Sequence, residues 1–205
     1  QADYVWQREQ LGTGHAVQIA CAQLSDYTGD LLVLYGDTPF ISASSLQELL
    51  NLHRTQGAAA TVLTAELEDP AGYGRILRTP DGRLAGIIED RDASAEQRLI
   101  REVNTGIYCF SSTELREILP CLEPQNAQGE YYLTDVITIL AQRGKILQVL
   151  KCQNPKEIMG PNDRQALAET ERVMRMMILE RLMEDGVSII DPANTYVDPR
   201  VKVGQ

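Results

Sequence analysis

An α/β protein, one sheet with helices on both faces, is the architecture this sequence predicts, on three observations. Short apolar and β-branched runs alternate with longer stretches of helical period, the pattern that sets strands side by side and lays helices over them. Gly, Pro, Asn and Asp fall where one pattern gives way to the other. At 205 residues the chain is long enough to bury a substantial core, as one domain with a short appendage.

The elements follow in order. Gly12-Thr13-Gly14 opens a helix over Ala16 to about Leu24. Such a loop presents backbone N–H groups and the positive end of the helix dipole to an anionic or carbonyl-bearing ligand. A plain turn with Thr13 as helix cap explains it equally well. Leu31-Leu32-Val33-Leu34, bounded by Gly36 and Pro39, predicts a short strand buried on both faces. Asp37 stands at its carboxyl end, where open α/β sheets bind ligands, and can either hold a metal or start a turn. Ser42 to Ser45 introduces a helix carrying Leu46, Leu49, Leu50 and Leu52, stopped by Gly57. Residues 58–67 read as a second buried strand.

Gly72-Tyr73-Gly74 lies in a loop where Gly74 lets its backbone come close to a ligand, or serves only the turn. Pro80-Asp81-Gly82 joins Arg75–Arg78 to Leu84–Glu89 as a hairpin, so Glu89 ends a strand much as Asp37 does. Another strand spans residues 102–110, and its polar start at Asn104 and Thr105 suits either a hydroxyl-rich ligand or a strand-entry turn. Ser111 to Glu114 caps a helix through Leu119. The polar and aromatic stretch 126–132 precedes a helix over residues 133–141, stopped by Gly144, and a strand over 146–150. The longest helix spans about Asp163 to Asp185, with Leu167, Met174, Ile178 and Leu182 at helical spacing and Asn162 with Gln165 as a capping box. Val197-Asp198-Pro199-Arg200-Val201-Lys202 and the following Val203 carry the six-residue step of a parallel β-helix.

Composition narrows the function. A net charge of −10 argues against polymeric nucleic acid, which calls for a basic face. Small nucleotides stay open, because a divalent metal can neutralise phosphates in place of protein cations. Cys21, Cys109, Cys121 and Cys152 show no paired-cysteine spacing and read as reduced thiols. His15 and His53 lack neighbours for a zinc site. No apolar run reaches membrane-spanning length, and the expectation is a cytoplasmic protein without a membrane partner. The chain begins at Gln1, without a methionine, so residues upstream are expected to be missing.

Six motifs in order carry a resemblance: Gln7 with Gln10-Leu11-Gly12-Thr13-Gly14-His15-Ala16, Leu34-Tyr35-Gly36-Asp37-Thr38-Pro39, Gly72-Tyr73-Gly74-Arg75-Ile76, Ile88-Glu89, Glu102-Val103-Asn104-Thr105-Gly106, and the run Asn126 to Asp135. Together they resemble the uridyltransferase domain of bacterial bifunctional N-acetylglucosamine-1-phosphate uridyltransferase / glucosamine-1-phosphate acetyltransferases. The resemblance implies a Rossmann-like nucleotide-diphospho-sugar transferase fold, with a mixed, mostly parallel sheet, ending at the start of a left-handed parallel β-helix. It implies a transferase domain over residues 1–186 and a linker with a first β-helix turn over 187–205.

The implied reaction joins UTP and N-acetylglucosamine-1-phosphate, giving UDP-N-acetylglucosamine and pyrophosphate. Residue by residue, Gln7, Gly12 and Thr13 would meet the uracil and ribose. Tyr35 and Gly36 would join the substrate site, and Asp37 with Asn162 would hold Mg²⁺. Gly74, Glu89 and Asn104 would grip the amino sugar, and Tyr132 and Thr134 would lie near the sugar phosphate. The family's opening strand and Gly-rich triphosphate loop do not occur in these residues, nor does the acetyltransferase β-helix that makes the family trimeric. Weak or no turnover by the chain alone is therefore expected, with a homotrimer only in a full-length protein. The alternatives are a pyrophosphorylase for glucose-1-phosphate with UTP or dTTP, and a non-catalytic sugar-nucleotide-binding module.

Overall fold

The computed structural model describes residues 2–161 and 163–204. The chain divides into two compact units, Gln1–Tyr35 with Ile41–Pro155 and Gly36–Phe40 with Lys156–Gln205.

In the first unit six strands form one sheet: β1 (Asp30–Val33), β2 (Ala60–Glu66), β3 (Arg75–Arg78), β4 (Leu84–Ile88), β5 (Glu102–Ser111) and β6 (Leu147–Lys151). Their order is β4-β3-β5-β2-β6, with β1 also paired to β5. The ten-residue β5 organises the rest. One of its edges takes β2, with Ala60 opposite Phe110 and Glu66 opposite Glu102. Its other edge is shared by β1, from Ser111 to Tyr108, and by β3 at Val103.

The expected mixed sheet is present, but its pairing is not mostly parallel. Of the ladders, only β2 with β6 is parallel. The strand directions explain the difference. β1, β2, β3 and β6 all point one way, as alternating strands and helices require, and β5 is inserted against them. It separates β1 from β2, so these two co-directed strands share no ladder. For the same reason β1 is not buried on both faces. Among the described strands it pairs with β5 alone, and Leu32 and Leu34 are 37% and 40% exposed.

Side chains alternate across β2 and β5, as the two-residue strand period demands. Ala60, Val62, Tyr108 and Phe110 join one core with Leu115 and Ile118 of α3 (Ser112–Ile118) and Val136, Ile137 and Leu140 of α4 (Thr134–Gln142). Cys21 of α1 (Thr13–Ala22) belongs to the same core. Thr61, on the opposite face, meets α2 (Ala43–Gln56) through His53, whose Nδ1 lies 3.0 Å from the Thr61 hydroxyl. Helices thus cover both faces.

Helix α2 follows its sequence signals. The Ser42 hydroxyl accepts a hydrogen bond from the Ser45 N–H, and Gly57 ends the helix with φ 57. Two expected caps differ. Thr13 is the first residue of α1 and makes no cap bond to it, and the Ser111 side chain makes none to α3.

The second unit is built on α5 (Arg164–Glu184). Its cap is Asp163, which accepts from the Ala166 N–H at 2.7 Å, one residue beyond the expected Asn162, which lies outside the described residues. The expected apolar stripe is displaced too: Leu167 is 54% exposed, while Thr170 and Leu179 are buried. The Arg175 guanidinium lies 4.3 Å over the Tyr196 ring. Among described residues 187–204 there is a short 3₁₀ turn at Pro192–Asn194 and no strand, so the expected start of a β-helix is not seen. A β-helix strand takes its hydrogen bonds from neighbouring coils, and one repeat supplies none.

Candidate functional site

In the first unit the loop that opens α1 is fastened to residues 130–133. The Gly14 N–H donates to the Tyr131 carbonyl at 2.7 Å, the Tyr131 N–H to the Leu11 carbonyl at 2.8 Å, and the Leu133 N–H to the Thr13 hydroxyl at 3.0 Å. Glycine is required by this approach. A Cβ on Gly12, whose φ is 106, would stand 2.6 Å from the Tyr131 carbonyl oxygen. The Gln7 amide donates to the Gly12 carbonyl and lies 3.1 Å from His15 Nδ1. Gln7, Gly12 and Thr13 are thereby brought together.

A second group gathers where β3, β4 and β5 begin or end. The Asn104 N–H donates to the Gly74 carbonyl at 2.8 Å. A Cβ on Gly74 would stand 3.5 Å from both Asn104 Cβ and Glu89 Oε2. Thr134, at the start of α4, is buried and donates its hydroxyl to Glu89 Oε1 at 2.9 Å. Gly74 thus lies beside Asn104 and Glu89, the three residues expected at the amino sugar, and Glu89 meets Thr134, expected near the sugar phosphate. Thr134 joins the carboxylate directly. Tyr132 is also buried, with 6% exposure, and that burial raises its phenol's pKa.

Beneath Gly74, the buried Arg75 donates to the Tyr73 carbonyl and, at 2.9 Å, to Asp90, tying the loop before β3 to the residues after Glu89. Arg75 lies inside a quoted motif, but its clamping role has no sequence signature, because its partners come from two loops.

Burial raises the Glu89 pKa above the ordinary carboxylate value; the Thr134 hydroxyl opposes the shift and the Asp135, Asp92 and Asp90 charges add to it. Burial, and then the charge of Asp92, raises Asp135 as well. A carboxyl with a raised folded-state pKa contributes most stability below its unfolded value and loses that contribution as pH rises through the folded value. At neutral pH a charged Glu89 is therefore a cost of holding this site ready. Glu89→Gln keeps an oxygen for Thr134 and removes the charge. It is expected to raise the thermal midpoint at pH 7 by about 2–4 °C. That gain should shrink as pH falls toward 4.5, the ordinary value for this group, where the native carboxyl is itself protonated. Thermal melts of both proteins at several pH values check this, and a gain that grew with acid would contradict it.

Tyr108, within the apolar run of β5, is fully buried and stacks on Phe110 with ring centroids 5.3 Å apart. Its hydroxyl accepts from Asn104 Nδ2 at 2.7 Å and shares a hydrogen bond with the Tyr35 side chain. Burial, the first cause, raises its pKa well above the ordinary phenol value, so it stays a neutral hydroxyl. The Tyr35 ring lies against Gly106, whose φ is 78 and whose N–H donates to Asn104 Oδ1 at 3.2 Å. Sequence reasoning left Tyr108 aside; its one signal was a hydroxyl-bearing aromatic in an otherwise apolar run.

Gly36 and Asp37 belong to the second unit. Asp37 is exposed, in the turn that follows β1. A Cβ on Gly160 would stand 2.5 Å from the Asp37 carbonyl oxygen and 4.0 Å from its Cγ, so only glycine lets the segment ending at Pro161 lie against Asp37. The expected partner Asn162 lies outside the described residues. Among the described residues no group of three or more His, Cys, Asp or Glu side chains could hold a metal ion. A single exposed carboxylate suits a cation that keeps waters and phosphate oxygens as ligands, the habit of Mg²⁺ rather than of zinc.

The nucleotidyl transferase family model matches residues 1–154, and the chain belongs to that family. Among individual proteins it is 51% identical over 204 residues to the bifunctional protein GlmU of Pelotomaculum thermopropionicum, covering 100% of this chain and 45% of that protein. It is 49% identical over 201 residues to the GlmU of Acetivibrio thermocellus, covering 98% of this chain and 44% of that protein. The chain thus spans less than half the length of these curated relatives. A crystal structure of apo UDP-glucose pyrophosphorylase superposes with a TM-score of 0.62 at 18% identity, over 84% of this chain and 63% of that one, and shares the fold. Among the described residues, no helix is long and apolar enough to cross a membrane.

Proposed function

We propose that this chain supplies the uridylyl-transfer chemistry that makes UDP-N-acetylglucosamine and pyrophosphate from UTP and N-acetylglucosamine-1-phosphate. The observation that carries the reading is the cluster of Gly74, Glu89, Asn104 and Thr134, in which a half-buried carboxylate and a buried asparagine both lie beside Gly74. A site built to hydrogen-bond hydroxyl and amide groups is what a hexosamine needs, and such a site discriminates strongly against ligands that leave its polar groups unpaired. High identity to proteins named GlmU supports the same direction.

In this reading Gln7, Gly12 and Thr13 contact the uracil and ribose, with Tyr35 and Gly36 continuing the substrate site. Gly74, Glu89 and Asn104 hold the amino sugar, and Tyr132 and Thr134 lie near its phosphate. A phosphate oxygen of the sugar attacks the α-phosphorus of UTP. A new P–O bond forms while the bond to the β-phosphate bridging oxygen breaks, and the electron pair leaves with pyrophosphate. The attacking oxygen is already ionised, so no side chain need remove a proton. Alignment and charge neutralisation carry the rate. Asp37 and Asn162 would hold Mg²⁺, which when bound neutralises the charge that develops on the phosphates. The setting fitting this reading is the cytoplasm, and the trimer belongs to the longer relatives' assembly.

Pyrophosphate release from UTP and N-acetylglucosamine-1-phosphate tests the reaction, run on this chain beside the Pelotomaculum relative. Release that requires both substrates and Mg²⁺ is expected. Tight binding of UDP-N-acetylglucosamine with no release, where the matching segment of the relative alone does turn over, would favour the non-catalytic module.

A further inference from the structure

The Tyr108 hydroxyl needs a reason to exist. Its ring already fills the core against Phe110, a job phenylalanine would do without burying a polar atom. Burying a hydroxyl costs free energy unless it is hydrogen-bonded. This one bonds Asn104 Nδ2 on one side and Tyr35 on the other. Asn104 Oδ1 meanwhile accepts from the Gly106 N–H.

These contacts settle which way the amide faces. An asparagine amide can turn over and exchange its oxygen and nitrogen, and only its partners decide between the two states. The Gly106 N–H can only donate, so Oδ1 must face it; Nδ2 then donates to the Tyr108 oxygen, and the two contacts together hold one orientation. It leaves a second N–H on Nδ2 and a second lone pair on Oδ1, on a residue whose Cβ and backbone N–H lie against Gly74.

We propose that Tyr108 is a positioning residue for the sugar, its hydroxyl holding the Asn104 amide in the single orientation that offers a ligand one donor and one acceptor. The ligand groups that match are an adjacent hydroxyl and acetamido on a hexose ring. This rests on the reading of Asn104 as a sugar contact. Tyr108 itself touches no ligand, so its effect must pass through Asn104 and must be confined to the sugar half of a nucleotide sugar.

A double-mutant cycle tests it, with calorimetric titrations of UDP-N-acetylglucosamine and of UDP into the unmodified chain, Tyr108→Phe, Asn104→Ala and the double variant. Tyr108→Phe should bind UDP-N-acetylglucosamine about tenfold more weakly, the scale of one hydrogen bond, and UDP unchanged. In the Asn104→Ala background it should add no further loss. Equal loss for UDP, no loss at all, or full additivity with Asn104→Ala would overturn the inference while leaving the sugar reading intact. If the unmodified chain held UDP-N-acetylglucosamine no better than UDP, the sugar reading itself would fall. As an independent readout, the Asn104 side-chain amide should give two well-separated proton resonances that draw together in Tyr108→Phe. Unmoved resonances would count against the contact.

Discussion

Asp37→Asn is expected to lower the rate of pyrophosphate release by about a thousandfold, the kinetic equivalent of the several kcal/mol that a metal contributes to charge stabilisation. The substitution preserves shape and removes only charge. Asp37 is exposed and sits in a turn, so little stability should change with it. What changes is the charge proposed to face Mg²⁺, at a position where no group of three or more metal-ligating His, Cys, Asp or Glu side chains stands among the described residues. Rates measured across a Mg²⁺ titration, in this chain and in the Pelotomaculum relative carrying the matching change, separate weaker metal binding from slower chemistry. A variant with the same rate and the same Mg²⁺ dependence would remove Asp37 from the metal site.

Gly106→Ala is expected to destabilise the first unit by about 3 kcal/mol, adding the cost of a left-handed conformation for a residue with a Cβ to that of overpacking. The backbone is at φ 78, and the new methyl would stand 2.5 Å from Tyr35 Cε2 and 2.6 Å from Cδ2. That ring cannot move aside freely, because it is bonded to the buried Tyr108 hydroxyl. On a domain of this size such a loss lowers the thermal midpoint by roughly 6–12 °C. Thermal unfolding measures it. Gly144→Ala is a useful comparison: its φ is 68 but nothing lies within 4 Å of the added methyl, so it isolates the conformational part. Equal effects at the two positions would show that the Tyr35 contact contributes nothing.

Much of the fold was legible because its signals are local. Ser42 and Gly57 bound α2 with a side-chain cap and a left-handed stop, and Pro80-Asp81-Gly82 marks the β3–β4 hairpin. Strand pairing is not local. Leu31 to Leu34 is apolar enough for a central strand, and nothing in those residues reveals that β5, some 70 residues later, lies between β1 and β2. The mostly parallel expectation failed for the same reason. Direction follows from alternation of strand and helix, but neighbourhood follows from where one antiparallel strand is inserted.

The candidate site divides along a similar line. Gly12, Gly74, Glu89 and Asn104 were legible through their motifs. The bonds that make them a site were not: Thr134 to Glu89 spans 45 residues, and Leu133 to Thr13 spans 120. Tyr108 escaped notice because an aromatic in an apolar run looks like core until its hydroxyl's partners are seen. Asp37 is the opposite case. Its motif is strong, and its exposed carboxylate gives little away without the cation it is proposed to hold.

Discrimination between two nucleotide sugars tests the central claim most directly. Equilibrium titrations of UDP-N-acetylglucosamine and UDP-glucose into this chain differ only in the acetamido group that Asn104 and Glu89 are proposed to read. Binding of the N-acetylated ligand at least about tenfold more tightly is the predicted result, one hydrogen-bonded group's worth of selectivity. Equal affinities, or a preference for UDP-glucose, would contradict it.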